Sequence, residues 1–343
     1  MSVTIKDVAK AANVAPSTVS RVIANNPRIS ERTKVKVREA MDQLGYHPNF
    51  IARSLANQST QVIGLVTPGS SDVFFQNPFF PTVLRGLNEG AHEHQYALQL
   101  VTGKNEEDIY NGVVQMVQGG RVDGVVLLYS KVEDRILSYL QERNFPFVMI
   151  GKPYKMPESI THVDNDNIQA GFDATEFLIG IGHERIAFVG GDNKLVVTVE
   201  RLEGYKEALK KAGLPYHPRY TVHETFLLEG GKDAICALME LPENERPTAL
   251  LVTDDLMSLG VLNTLSELDM TVPEDISIIS FNNVLFSEMS RPPLTSVDIN
   301  IFQLGYEASS QLIKRVEHKD EPHHRITVPH HIIARFSTEY VKK

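Results

Sequence analysis

Short apolar runs alternating with helix-length stretches constrain this chain more than any other feature. Gln61-Val62-Ile63-Gly64-Leu65-Val66, closed by Pro68-Gly69, reads as a strand buried on both faces. A helix from Pro81 to His94 follows, then strand, helix and strand at Ala97 to Val101, Glu106 to Gln118 and Gly124 to Leu128. Ile136 to Arg143 and Phe147 to Ile150 repeat the unit. After His162-Val163-Asp164-Asn165 the alternation starts again. Helices fall at Gly171 to Gly180, Arg201 to Lys211, Lys232 to Met239 and Leu256 to Leu268. Strands fall at Arg185 to Gly191, Tyr220 to Val222, Ala249 to Thr253 and Ile276 to Phe281. Alternation of this kind predicts an α/β fold with open, doubly wound parallel sheets. Two such halves in tandem predict a bilobed body with a ligand cleft near the carboxyl ends of the strands.

The first sixty residues follow another rule. Ile5, Val8, Ala9 and Ala12 form one apolar stripe on a short helix, with Thr4 at its N-cap and Asp7 favouring its start. Ala11-Ala12-Asn13 offers a tight turn, and Pro16 suits the first position of a second helix. Val19, Val22 and Ile23 face back, leaving Ser17, Thr18, Ser20 and Arg21 outward or at the rim. A third helix, Glu31 to Gln43, is capped by Ser30, and Val35, Val37, Met41 and Leu44 are expected to cover the first two. The pattern predicts a helix-turn-helix whose small hydroxyls allow close approach to a major groove while Arg21 pairs with guanine. Gly45-Tyr46-His47-Pro48-Asn49 then breaks the chain before a short helical segment at 50–58, too short to persist alone in water.

Charge supports that division. Residues 1–60 hold nine Lys/Arg against four Asp/Glu, a net +5, so a chain of net charge −9 carries −14 on the remainder. A basic module on an acidic body confines phosphate binding to one end. The single cysteine, Cys236, allows no disulfide framework and is expected to be a buried structural thiol. The chain shows no leader-like start and no run of membrane-spanning length, which points to the cytoplasm of a bacterium, at the nucleoid.

Thr4 to Ala9, Ser17-Thr18-Val19-Ser20-Arg21-Val22, Leu44 to Asn49 and Ala52-Arg53-Ser54-Leu55 together resemble the headpiece of the lactose-repressor (LacI/GalR) family. Pro16-Ser17-Thr18 and Asn49 to Ala56 look most like the maltose-operon repressors of Gram-positive bacteria. The resemblance implies a headpiece over 1–60 and a periplasmic-binding-protein-like core whose chain crosses between lobes three times. On that pattern the N-lobe takes 62–161 and 293–324, and the C-lobe 162–290 and 326–340. It implies DNA contacts from Thr4, Pro16, Ser17, Thr18, Ser20, Arg21, Asn25, His47, Asn49 and Arg53. Leu55 and Ala56 would belong to a hinge pair in the minor groove, Leu55 wedging a base step. Ala15 stands where relatives have Ser, which removes one cap and one phosphate contact.

Residues just past the strands are the effector candidates: Ser70, Asp72, Phe79, Phe80, Tyr129, Lys152, Asp192, Asp254 and Asn282. Family likeness adds Arg201 and the ring of Phe226, and also points to Asp254 and Asn282. Carboxylates, amides and an Arg with aromatic rings suit a sugar, whose hydroxyls and C–H face need both kinds of partner. Maltose or a maltodextrin fits this set. Each residue has a plainer reading. Arg201 could pair with Glu200 or Glu203, Asp255 could cap the helix at Leu256, and Phe79 and Phe80 could be lid or core. Asn282-Asn283 departs from the paired acids of many relatives. His323-His324 and His330-His331 lack metal-ligand spacing, so neither metal nor cofactor is expected. Nor does any phosphate-cradling or hydrolase motif appear, which argues against an enzyme. The function expected is a homodimeric, DNA-binding repressor of a sugar operon, with a double-stranded pseudo-palindromic operator and a sugar effector as partners. The alternative is a catabolite-control-type regulator answering to a phosphorylated partner protein.

Overall fold

The computed structural model describes residues 3–23, 26–46, 59–318 and 320–341. They fall into two compact units, residues 1–60 and 61–343. The segment at 50–58, with Asn25, His47, Asn49, Arg53, Leu55 and Ala56, lies outside the described residues.

In the smaller unit three helices, α1 (Ile5–Ala11), α2 (Pro16–Ile23) and α3 (Glu31–Leu44), enclose Val8, Ala9, Ala12, Val19, Val22, Val37 and Ala40. Asn13 turns the chain between α1 and α2 at φ 48°, a left-handed conformation that Asn tolerates. Ser30 caps α3 by accepting the Thr33 N–H, and Gly45 ends it at φ 59°, where Tyr46 N–H reaches back to Met41. Two side chains expected in this core are outside it: Val35 is exposed and Leu44 reaches the surface. The register of α3 instead turns Lys34, Val37 and Ala40 inward. Lys34 buries its stem and keeps its ammonium on Glu31, 2.7 Å away.

The larger unit holds two six-stranded sheets. The first contains β1 (Val62–Ser70), β2 (Ala97–Gly103), β3 (Gly124–Leu127), β4 (Phe147–Ile150) and β5 (His162–Asp164). Its helices are α4 (Ser71–Gln76), α5 (Phe79–Glu93), α6 (Glu106–Gln118) and α7 (Arg135–Glu142). The second lobe runs α8 (Asn167–Gly180), β6 (Ile186–Gly190), α9 (Val196–Lys211), β7 (Thr221–His223), α10 (Leu228–Met239) and β8 (Ala249–Val252). It continues with α11 (Asp255–Glu267), β9 (Ser277–Phe281), α12 (Leu285–Met289) and β10 (Thr295–Asp298). The chain then returns for α13 (Ile301–Glu317) and β11 (Arg325–Thr327) before closing with β12 (His331–Ile333).

Strand order is β11-β5-β4-β3-β1-β2 in one sheet and β12-β10-β9-β8-β6-β7 in the other. Every pairing is parallel except β12 on β10. The middle strands are buried along their whole length, as covering by helices on both faces requires. The pairing moves the lobe boundaries from those expected. Residues 162–164 and 325–327 belong to the first sheet and 295–298 to the second, so the crossings follow Asp164, Asp298 and Thr327.

Glycine decides how closely α8 and α9 pack. A Cβ on Gly204 would lie 1.9 Å from the Ile168 carbonyl oxygen, and one on Gly171 would lie 2.3 Å from that of Arg201. Backbone therefore meets backbone here, and Arg201 is carried against the start of α8. On α10, Gly230, Gly231, Ala234, Ile235 and Leu238 form the buried face. Cys236 sits about 100° round the helix from Ile235 and is exposed, not buried as expected.

Candidate functional site

On the smaller unit, α2 presents Pro16, Ser17, Ser20 and Arg21 to solvent and keeps Thr18 half-buried, with Val19 and Val22 behind them. Ala15 supplies only its carbonyl, which accepts the Thr18 and Val19 N–H groups. Thr4 is engaged locally: its N–H and hydroxyl both donate to Asp7 Oδ2, at 2.9 and 2.7 Å. The Thr4 hydroxyl's hydrogen bond holds the Asp7 carboxyl below its usual range.

The seam between the lobes of the larger unit collects a different set. Asp254 ends the loop after β8 and is almost inaccessible. Its Oδ1 caps α11 by accepting the Leu256 and Met257 N–H groups, at 2.9 and 3.1 Å. Its Oδ2 accepts side-chain amides from Asn282 and Asn77, both at 2.9 Å. The cap of this helix is thus Asp254. Asp255 is buried beneath it, accepting Val284 N–H, the Ser296 hydroxyl and the Ser287 hydroxyl. Asn77 comes from the first lobe, and its amide also reaches the Phe226 carbonyl at 3.3 Å. The Phe226 ring lies over Gly191, close enough that a Cβ there would fall 2.2 Å from Cζ.

Arg201 is only 4% exposed. Its guanidinium lies 4.2 Å from the centroid of the Phe281 ring, donates from Nε to Asn167 Oδ1 at 3.0 Å and from Nη1 to the Thr253 carbonyl at 2.9 Å. Neither Glu200 nor Glu203 is its partner. Glu200 pairs across the seam with Lys152, Nζ to Oε1 at 2.8 Å. Burial lowers the Arg201 pKa to about 10, and Asp164, Asp254, Asp255 and Glu200 resist that shift, so it is charged at neutral pH. Asp164 Oδ2 accepts the Lys152 N–H at 2.7 Å, while Oδ1 accepts from Asn165 N and Asn167 Nδ2. Further backbone bonds join the lobes, Val196 N–H to Ser130 and Val132 N–H to Lys194.

Burial, then the Glu200 charge, raises Asp164 to about 7, and burial raises Asp255 to about 6. Both keep protons that an unfolded chain releases near pH 4. Their stabilisation is therefore complete below about pH 4 and is lost as pH rises through 6 to 7. The unfolding temperature is expected to fall between pH 5 and 7.5, and less steeply in Asp164→Asn. Parallel calorimetric profiles for the two proteins would show that Asp164 does not contribute to the slope.

The structure brings Lys152, Arg201, Phe226, Asp254 and Asn282 to this seam. Ser70 ends β1, Asp72 lies in α4, and Phe79 is half-buried, edge-on to Phe80 at 5.2 Å. Phe80 is core, 4.4 Å from the ring of Phe74. Tyr129 is buried on the other face of the first sheet with Val66, Ile136 and Tyr139. Asp192 accepts the Lys194 N–H in a turn. His330 and His331 face separate carboxylates, Asp173 at 3.0 Å and Asp298 at 3.8 Å. Asp164 and Asn167 were not among the candidates offered by the sequence, Asn77 lay only within the candidate stretch Ser70 to Phe80, and Glu200 was considered only as a partner for Arg201. The available signal was weak: Asn77 precedes Pro78-Phe79-Phe80, and Asp164 closes a three-residue strand.

Residues 4–49 match the family described as bacterial regulatory proteins, lacI family, and residues 175–338 match a periplasmic binding protein-like domain. The HTH-type transcriptional regulator MalR of Streptococcus pneumoniae is 45% identical over 342 residues, covering 98% of this chain and 100% of its own. The chain belongs to the LacI family. A LacI-family member of this kind is a DNA-binding transcriptional regulator, not an enzyme. Among solved structures, a complex of the transcriptional regulator CelR with cellobiose superposes on this LacI-family chain with a TM-score of 0.77. It is 31% identical and covers 98% of this chain and 99% of its own. A probable maltose operon transcriptional repressor from Staphylococcus aureus gives 0.74 at 28% identity, over 81% and 98%. Among the described residues of this regulator no helix is long and apolar enough to cross a membrane.

Proposed function

We propose that the interlobe seam is the effector site, that the effector is a maltose-type sugar, and that sugar binding releases a dimeric repressor from its operator. The observation that carries this reading is the buried polar set Arg201, Asp254, Asn282 and Asn77, drawn from both lobes. Burying charge costs several kcal/mol per ion unless it is fully paired. A folding core has no need of it, whereas ligand sites concentrate such groups. Among the described residues nothing accepts from Arg201 Nη2, which leaves donors for a hydroxyl, and Phe226 offers a ring for a sugar's C–H face. The relatives named for a maltose operon and crystallised with cellobiose support a disaccharide. Dimerisation is supported by the exposed apolar side chains Leu285, Phe286 and Met289 of α12 and Phe336, too many for a free surface to carry without a partner. The two segments that carry them are joined by Arg335 to Asn283 at 2.7 Å and by Phe336 N–H to the Pro293 carbonyl. The cytoplasm, where operator DNA lies, is the compartment this function requires.

Titrating the full chain with maltose, and measuring operator affinity with and without it, tests the reading. Heat on mixing and a weakened operator complex are expected. Binding of cellobiose but not maltose would reject the sugar assigned. Silence with all sugars, and a response only to a phosphorylated partner protein, would favour the catabolite-control reading.

Arg21→Ala is expected to cost about 1–3 kcal/mol of operator affinity and to relax preference at one base pair per half-site. Binding measured against operators varied at single positions checks this. A loss spread evenly over all sequences would make Arg21 a phosphate contact.

A further inference from the structure

The three crossings between the lobes meet at one side chain. Asn165 is the first residue past β5. Its Nδ2 donates to the Ile299 carbonyl in the second crossing at 3.0 Å and to the Val328 carbonyl in the third at 2.8 Å. Val328 N–H returns a bond to the Asp164 carbonyl at 2.8 Å. Asn165 is 6% exposed, and both amide hydrogens are committed, one to each of the other two crossings. Two residues on, Asn167 is equally inaccessible and faces both ways. Its Nδ2 donates to Asp164 Oδ1 at 2.9 Å, and its Oδ1 accepts from Arg201 Nε at 3.0 Å. A continuous run of hydrogen bonds therefore joins Arg201, Asn167 and Asp164 to the backbone that Asn165 clamps.

We infer that Asn165 pins the hinge and that Asn167 is the positioning residue relaying the state of Arg201 to it, so that two side chains contacting neither DNA nor sugar set how strongly the lobes respond. Rotation of one lobe against the other must change the relative path of the three crossings. An amide holding all three favours one arrangement and makes the alternative cost two buried bonds. If Arg201 re-aims toward a ligand, its hold on Asn167 Oδ1 changes, and with it the seat of Asp164 beside the clamp. The relay rests on the effector reading given above; the pin does not.

Spin labels on cysteines at Glu142 of α7 and Lys210 of α9, both exposed, report lobe separation in the full chain with Cys236→Ser as background. Without sugar, the unsubstituted hinge is expected to give one narrow distance distribution, and Asn165→Ala a broad or two-peaked one. Should that variant not fold, Asn165→Ser, which retains one donor, carries the same test. A distribution as narrow as that of the unsubstituted hinge in either folded variant would overturn the pin. Asn167→Asp keeps an acceptor for Arg201 but sets a carboxylate against Asp164. It is expected to keep the narrow distribution and to lose at least fivefold in the ratio of operator affinities without and with maltose. An unchanged ratio would overturn the relay. If maltose leaves the unsubstituted protein's operator affinity unaltered, the effector reading fails and with it the relay, while the distance distributions still decide the pin.

Discussion

Arg201→Ala is expected to lower the stability of the larger unit by about 3–5 kcal/mol and to abolish sugar binding, because removal of one partner leaves buried charge uncompensated. The guanidinium is the buried cation whose field reaches Asp164, Asp254, Asp255 and Glu200, although it bonds none of them. Its loss also strips the stacking partner from Phe281 and leaves the Thr253 carbonyl and Asn167 Oδ1 without their donor. At about 2–4 °C per kcal/mol, the unfolding temperature should drop on the order of 10 °C. Arg201→Lys separates the two roles. It restores a charge but not the planar fork that serves Asn167, Thr253 and a ligand together. Most of the stability should return and little of the binding. Scanning calorimetry and sugar titration of both variants decide the matter, and full sugar affinity in Arg201→Lys would remove Arg201 from the effector site.

Gly204→Ala is the second large effect, and its sign runs against helix propensity. In an exposed helix interior the change would stabilise by about 1 kcal/mol. Here the new methyl would meet the Ile168 oxygen at 1.9 Å and the Phe172 nitrogen at 2.6 Å, both backbone atoms that cannot step aside alone. Overpacking of this kind costs about 1–3 kcal/mol or more, so a net loss of about 2 kcal/mol is expected. The displaced α8 carries Asn167, so the operator response to sugar should weaken as well. Gly180, at the end of the same helix, has nothing within 4 Å of its would-be Cβ. Gly180→Ala should therefore be neutral or stabilise by up to about 1 kcal/mol. Equal unfolding temperatures for the two alanine variants would contradict the close packing of α8 on α9.

The elements that were legible were those whose burial is periodic. Residues 106–118 and 147–150 coincide with the helix and strand expected there, since apolar residues bound by turn signals leave few alternatives. Helix α13 was not anticipated. Its stripe of Ile301, Leu304, Ala308 and Leu312 is interrupted by Gly305 and Ser309-Ser310, poor helix formers that the contact with Val83, Gly86 and Gly90 of α5 demands. Strand β10, Thr295-Ser296-Val297-Asp298, looks like a loop in the sequence. It is nonetheless an inner strand, paired by both β12 and β9, because Ser337, Asp255 and Thr338 satisfy its hydroxyls and Thr295 N–H. Polar strands are readable only once their partners are known.

The same division runs through the site. Sequence by itself determined a basic helix-turn-helix followed by two α/β halves, since charge segregation and the period of burial are properties of neighbours along the chain. It also offered Asp254 and Asn282 as residues just past strands, while Arg201 and Phe226 came only from family likeness. Only the tertiary structure decided that Tyr129 and Phe80 are core, that Asp254 caps a helix while holding two amides, and that Asn77, Glu200 and Asn167 complete the seam. Those roles depend on pairs such as Asn77 and Asp254, 177 residues apart in sequence, and no local pattern encodes which distant backbone will bring such groups within hydrogen-bond reach.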